Sequence, residues 1–421
     1  MDRKEKISLI SGIILIGFTL SVIYHFFLSN YLKIGYPFNT FLFDPSDRFM
    51  DFAGLYTRSA ILNPYYLNKI PSPYPPFAFI LFYPLTLIPQ KLSFLLFSLI
   101  FVFYFVHYNY KNFALPSLRS ASWRILAMTV LSYPFLFLVD RGNLEAFVFI
   151  LLSLFVYFYS QKSYSKSILF LTMASALKIY PLIFLVLFFA HKKFKETILV
   201  LLLVLFLNIS SLVFFKGGIS ANLTYFLSNL SAYNTFYAVK DEGLAFSSSL
   251  FSLIKVIIFK IHSFPSIINL GNVLNVVMLK IQPSLTSQTL TRALQIYYFA
   301  ALALVILISA YVIFIEKTFW KKITLLIFSF IIFPPVSADY KLIHLFIPLW
   351  LFINHKSSSK KSDLFYAVCF ALLLIPKDYL VFFVDKRLPH FFSISILLNP
   401  LIMTIVIITL VADGVKKIKI K

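Results

Sequence analysis

Residues 7–28 read ISLISGIILIGFTLSVIYHFFL, an unbroken apolar run without Asp, Glu, Lys or Arg. A helix needs about 20 predominantly apolar residues to cross the hydrocarbon of a bilayer, so this stretch predicts a membrane span. Met1-Asp2-Arg3-Lys4-Glu5-Lys6 precedes it, a basic flank of the kind that holds a chain end in the cytoplasm. The arrangement resembles a signal peptide but has no small-residue cleavage site, and it reads as an uncleaved first span.

The rest of the chain repeats the pattern. Hydrophobic residues make up 60% of 421, Phe alone numbers 51, and charged residues are 13%. The mean hydropathy is +0.87, outside the range of a soluble globular domain. The expected fold class is an all-α polytopic membrane protein with about 12 transmembrane helices. It reads as a single integral-membrane domain over residues 1–421. The net charge of +22 is not gathered into one patch, so it does not read as a nucleic-acid footprint. Lys and Arg instead fall in short clusters between apolar runs, as the positive-inside rule requires. The single Cys369 excludes an intrachain disulfide and a thiolate metal cluster.

Following the basic clusters gives a threading with both termini cytoplasmic. Expected crossings lie at 7–28, 91–108, 125–139, 144–160, 196–215, 294–315, 364–381 and 391–413, with shorter runs at 167–177, 181–190, 323–333 and 343–353. Residues 29–90 form a first long outer loop with juxtamembrane helices, including an amphipathic stretch at Asp51–Ala60 and an apolar half-helix from Phe77 to Ile88. Residues 216–293 form a second outer region, with an amphipathic stretch from Ser247 to Lys260 that suits an interface. More than half of the 38 Lys and Arg fall inside. Asp44, Asp47, Asp51, Asp140, Glu145, Asp241, Glu242, Asp339, Asp378 and Asp385 fall at or near the outer face. Acidic residues are weak topology signals, so this bias points to chemistry on the extracytoplasmic side.

A carboxylate beside a bilayer needs solvent, a partner or a task. Asp51 suits a general base that takes the proton of an attacking hydroxyl; the alternatives are a helix N-cap or a solvated loop acid. Asp47 reads as a natural cap. In Asp140-Arg141-Gly142-Asn143 a turn explains Gly and Asn, whereas an Asp-Arg pair beside Glu145 suits either a substrate contact or a structural ion pair. Lys178 has apolar neighbours on both sides and must snorkel, pair or meet an anion. Lys341 and His344, three positions apart after Pro334-Pro335, share a helical face and suit either a phosphate or an interface anchor. Asp241-Glu242-Gly243 resembles a metal-binding fragment only loosely, and no metal site is expected. A nucleotide-driven pump and a membrane zinc protease have no supporting motif.

Asp51-Phe52-x-x-x-Tyr56-x-x-x-Ala60, followed by Tyr74-Pro75-Pro76 and a half-helix with Pro84 and Pro89, resembles glycosyltransferase family 87 of the GT-C superfamily. Gly142-Asn143, Lys178-x-x-Pro181 with Lys192, Lys193 and Lys195, Ser248–Leu250 and Pro335-x-Ser337 through Tyr340 and His344 are similar to later family segments, in order. Asp140-Arg141 departs from the commoner neutral residues, and the Asn of an Asn-x-Ser-Leu segment is missing. The resemblance implies a GT-C-like membrane hexosyltransferase that moves a sugar, mannose foremost, from a polyprenyl-phosphate donor to a lipid or glycan acceptor with inversion. It implies Asp51 as base and Lys178, Lys341, His344 and Arg141 on the donor phosphate. With these go substrate-binding expectations at Tyr56, Tyr74, Asp140, Asn143, Asp339 and Tyr340. No cofactor and no nucleic acid are implied, and membrane lipids are expected partners in a plasma or inner membrane. The different-class alternative is a lipid or glycan transporter, or a glycan ligase or polymerase.

Overall fold

The computed structural model describes residues 1–66, 70–113, 119–240, 243–258, 260–270, 274–282, 287–356, 359–383 and 391–419. Asp241, Glu242 and Asp385 lie outside the described residues. Among those described, five helices are long and apolar enough to cross a bilayer: Arg3–Asn30, Gln90–Phe113, Phe194–Val213, Leu290–Phe314 and Ser395–Lys416. A sixth forms if Ser122–Val130 and Tyr133–Arg141 count as one span bent by 49°. Pro134 lies in the first turn of the second half of that pair, and a proline cannot continue the hydrogen-bond ladder of the helix before it.

The long helices expose Leu20, Ile23, Phe26, Phe206, Phe299 and Leu307. In water such contiguous apolar faces would drive association; hydrocarbon satisfies them. Other helices are shorter. Phe319–Ile332 has 14 residues, a length of about 21 Å against a hydrocarbon core of about 30 Å. Nearly all of its side chains are buried, as befits a helix that is apolar all round and enclosed by others. The threading into about 12 crossings therefore rests in part on helices too short to span alone.

The architecture is mainly helical, with a four-stranded sheet that apolar periodicity did not predict. Lys260–Leu270 pairs antiparallel with Leu274–Gln282, Ile267 opposite Val277. Lys280 pairs with Phe383 in a parallel register, and Val381–Phe383 runs antiparallel to Phe391–Ser393. The β-branched residues Ile267, Ile268, Val276 and Val277 favour strand over helix. The helix Leu250–Ile258 occupies most of the expected amphipathic stretch.

The segment between the first two long helices builds the floor of the site. Helix Met50–Ser59 buries Phe52, Leu55 and Ser59 on one face and carries Asp51 in its first turn. Phe52 meets Phe82, Phe94 and Phe97 with ring centroids 5.2–5.4 Å apart, burial that stabilises by about 1.5–3 kcal/mol. Phe82 ends helix Pro76–Phe82, which continues as the 3-10 turn Tyr83–Leu87. Asp47 does not cap Met50–Ser59. The cap position is Phe49, in a left-handed conformation without a side-chain bond, while Asp44 caps the turn Pro45–Asp47. Asp47 is engaged elsewhere, by Arg141.

Candidate functional site

Helix Tyr133–Arg141 ends at Gly142, whose φ of 62° caps it in the left-handed region. A Cβ at Gly142 would lie 2.7 Å from the Phe52 Cβ, so glycine is what lets this helix end reach helix Met50–Ser59. Arg141 is thereby delivered to two carboxylates. Its guanidinium donates to Asp47 Oδ2 at 3.0 Å and to Asp51 Oδ1 at 2.6 Å, and lies 4.0 Å from the centroid of the Phe43 ring. Asn143 Nδ2 donates to the other Asp51 oxygen at 2.7 Å. Two of the roughly four lone-pair directions of the carboxylate are then taken and the rest stay open. The Asp51 side chain is 22% exposed, so it stays accessible.

Asn143 faces both ways. Its Oδ1 accepts from the Glu145 backbone N–H at 3.0 Å, a local turn that starts helix Glu145–Ser160. The same oxygen accepts from Lys178 Nζ at 3.4 Å. Helices Glu145–Ser160 and Tyr164–Leu177 form an antiparallel hairpin with a short turn, which returns Lys178 to the start of the first helix. There Lys178 donates to Glu145 Oε1 at 2.9 Å. Glu145 Oε2 lies 2.9 Å from His344 Nε2 and accepts from the Tyr180 hydroxyl.

Lys341 and His344 share the 3-10 segment Asp339–Leu345, where residues three apart eclipse. Lys341 Nζ rests 4.8 Å from the Tyr180 ring centroid and makes no ion pair among the described residues. Burial pushes its ammonium down to about 8, opposed by Glu145 and assisted by Lys178. Lys178 Nζ lies 5.2 Å from the centroid of Tyr74 and 5.8 Å from that of Tyr340, an attraction between cation and ring face. The Tyr74 hydroxyl accepts from Asn143 at 3.4 Å.

The structure thus brings Asp51, Arg141, Asn143, Tyr74, Lys178, Tyr340, Lys341 and His344 into one connected neighbourhood. Arg141 stands with the carboxylates rather than with the cations, because both of its terminal nitrogens are used by Asp47 and Asp51. Tyr56 turns away and donates to the Ile88 carbonyl at 2.8 Å, anchoring its helix to the half-helix segment. Asp140 accepts from the Phe43 and Phe49 backbone N–H groups through its carboxylate and carbonyl, fastening the segment that leads into helix Met50–Ser59. Asp339 is fully buried and accepts from Ser248 at 2.5 Å, Tyr133 at 3.2 Å and Asn399 at 3.3 Å. These bonds tie three chain segments together inside the protein. Glu145 and Tyr180 were absent from the sequence-derived site; the available signal was a carboxylate opening an otherwise apolar helix.

Among the described residues no group of three His, Cys, Asp or Glu is arranged to hold a metal ion. A helical membrane protein with an acid and a basic cluster joined through one amide is the class that fold and site define. The model of glycosyltransferase family 87 matches residues 73–334, more than half of the chain, and the protein belongs to this family. Membership implies a glycosyl donor and an acceptor as substrates. Asp51, Lys341 and His344 lie outside the matched stretch. No curated protein and no solved structure matches the chain.

Proposed function

We propose that this membrane glycosyltransferase moves a hexose, mannose foremost, from a polyprenyl-phosphate carrier to a hydroxyl of a lipid or glycan acceptor, with inversion. The work is done on the extracytoplasmic side of a plasma or inner membrane, by one domain whose short helices complete about 12 crossings between cytoplasmic termini. Asp51 accepts the acceptor's hydroxyl proton as that oxygen bonds to the sugar's anomeric carbon. The bond from that carbon to the phosphate oxygen breaks on the opposite face, and its electron pair leaves with the carrier phosphate. Lys178 and Lys341 stabilise the departing charge, with His344 beside them.

The observation that carries this reading is the Asn143 amide, bonded on one side to Asp51 and on the other to Lys178. It holds a proton acceptor and an anion-binding cation at a fixed separation, as in-line displacement between a hydroxyl and a phosphate needs. The test is transfer of radiolabelled mannose from polyprenyl-phosphate-mannose to a membrane lipid extract, by purified wild type and by Asp51→Asn. Transfer lost only in the variant, with folding intact, supports the reading. Equal transfer by both proteins removes Asp51 from the mechanism.

A further inference from the structure

Glu145 is the member of the basic cluster to which glycosyl transfer gives no task. Its side chain is wholly enclosed, and a buried carboxylate persists only when paired and hydrogen-bonded. Lys178, His344 and Tyr180 satisfy it, while Lys341 stands over Tyr180 without an ion pair among the described residues. Counting Lys178, Lys341 and Glu145, the cluster carries one positive charge in excess. On the proposed reading the two phosphate species it meets differ in charge. A carrier-phosphate-sugar is a diester with one negative charge; the spent carrier is a monoester, whose second ionisation near neutral pH takes it towards two.

We infer that Glu145 sets the charge of the phosphate site to match the donor diester and not the product monoester, and so drives release of the spent carrier. It is a positioning residue: it acts through Lys178 and His344 without touching substrate. In the product complex the second phosphate charge is left unmatched by this cluster and is repelled by the Glu145 carboxylate. With Gln in its place, the two lysines match the product, and the enzyme is inhibited by what it makes.

This rests on the proposed donor class, and the experiment separates the two ideas. Binding of farnesyl phosphate, of methyl farnesyl phosphate and of inorganic phosphate is measured on purified wild type, Lys178→Ala and Glu145→Gln. Lys178→Ala should weaken both lipid probes; unchanged affinity for both overturns the phosphate site itself. Inorganic phosphate binding as tightly as farnesyl phosphate overturns the lipid-linked reading, and much weaker binding supports it. In Glu145→Gln the preference for monoester over diester should rise about tenfold. An unchanged preference overturns the role of Glu145 while leaving the phosphate site standing. Should Glu145→Gln fail to fold, Lys341→Gln lowers the charge count instead, and the same preference should fall; no change there overturns the inference equally.

Discussion

Asp51 and Lys178 are bound to opposite ends of one amide, Asn143 Nδ2 donating to the acid at 2.7 Å and Oδ1 accepting from the ammonium at 3.4 Å. This side chain is the link between the two halves of the site. Asn143→Asp keeps its size and replaces the donor to Asp51 by a second carboxylate. A like charge at hydrogen-bond distance disfavours ionisation, so the acid limb of the pH–rate profile should move to higher pH. Asn143→Ala should lower kcat without that displacement. An unshifted acid limb in Asn143→Asp argues against Asp51 as the titrating base.

Removing the proposed base itself is the stronger perturbation. Asp51→Asn retains an acceptor for Arg141 but cannot take a proton. Sugar transfer should fall by about 10²–10⁴-fold, the range for loss of general base catalysis. Thermal unfolding in detergent serves as the folding control, and activity within a few-fold of wild type contradicts the assignment.

Arg141 serves two carboxylates with two separate nitrogens, a fork that a lysine ammonium cannot reproduce. Arg141→Ala leaves Asp47 and Asp51 without their shared cation, Asp51 keeping the Asn143 bond. Both are partly exposed, at 39% and 22% for their side chains, so water recovers part of the loss. A destabilisation of about 1–3 kcal/mol is expected, with Arg141→Lys between the variant and wild type. Denaturant unfolding of the three proteins gives the order directly.

Much of this site was legible in the sequence because charge is conspicuous in a chain this apolar. Asp51, Lys178 and the Lys341–His344 pair stand out as groups that need partners. What could not be read was who partners whom. Arg141 and Asp51 are 90 residues apart, and a basic residue in a turn reads equally well as a phosphate ligand until the fold places it. Asp339 shows the same limit: Ser248, Tyr133 and Asn399 enclose an acid that local sequence puts beside Tyr340 and Lys341 on an outer turn. Helices were legible from long apolar runs, whereas the sheet was not, since a short Ile- and Val-rich run fits strand and buried helix alike. The number of crossings was obscured because apolar composition does not distinguish a spanning helix from a short enclosed one.

On the proposed reading, the pH dependence of donor binding follows from Lys341. Its ammonium titrates at about 8, pushed down by burial, so it is charged below that value and neutral above it. A bound phosphate favours the charged form and raises the value in the complex. Affinity is therefore full below about 8, falls as pH rises through it, and levels off above the higher value of the complex. KM for the donor should climb over this interval while KM for the acceptor stays flat. Lys341→Arg, which keeps its charge throughout, should remove the climb; a climb that persists assigns the titration to another group.

Gly142 tests whether the approach of two helices, rather than any one contact, makes the site. Its positive φ costs a side-chain-bearing residue about 1–2 kcal/mol, and an added Cβ meets Phe52 Cβ at 2.7 Å and the Phe94 ring at 3.0 Å. Phe52 follows Asp51 on the same helix, so relief of the clash displaces the Asp51 carboxylate from Arg141 and Asn143. Gly142→Ala should lose transfer activity out of proportion to its modest loss of stability. If activity falls only in step with stability, the helix approach is not what the glycine protects.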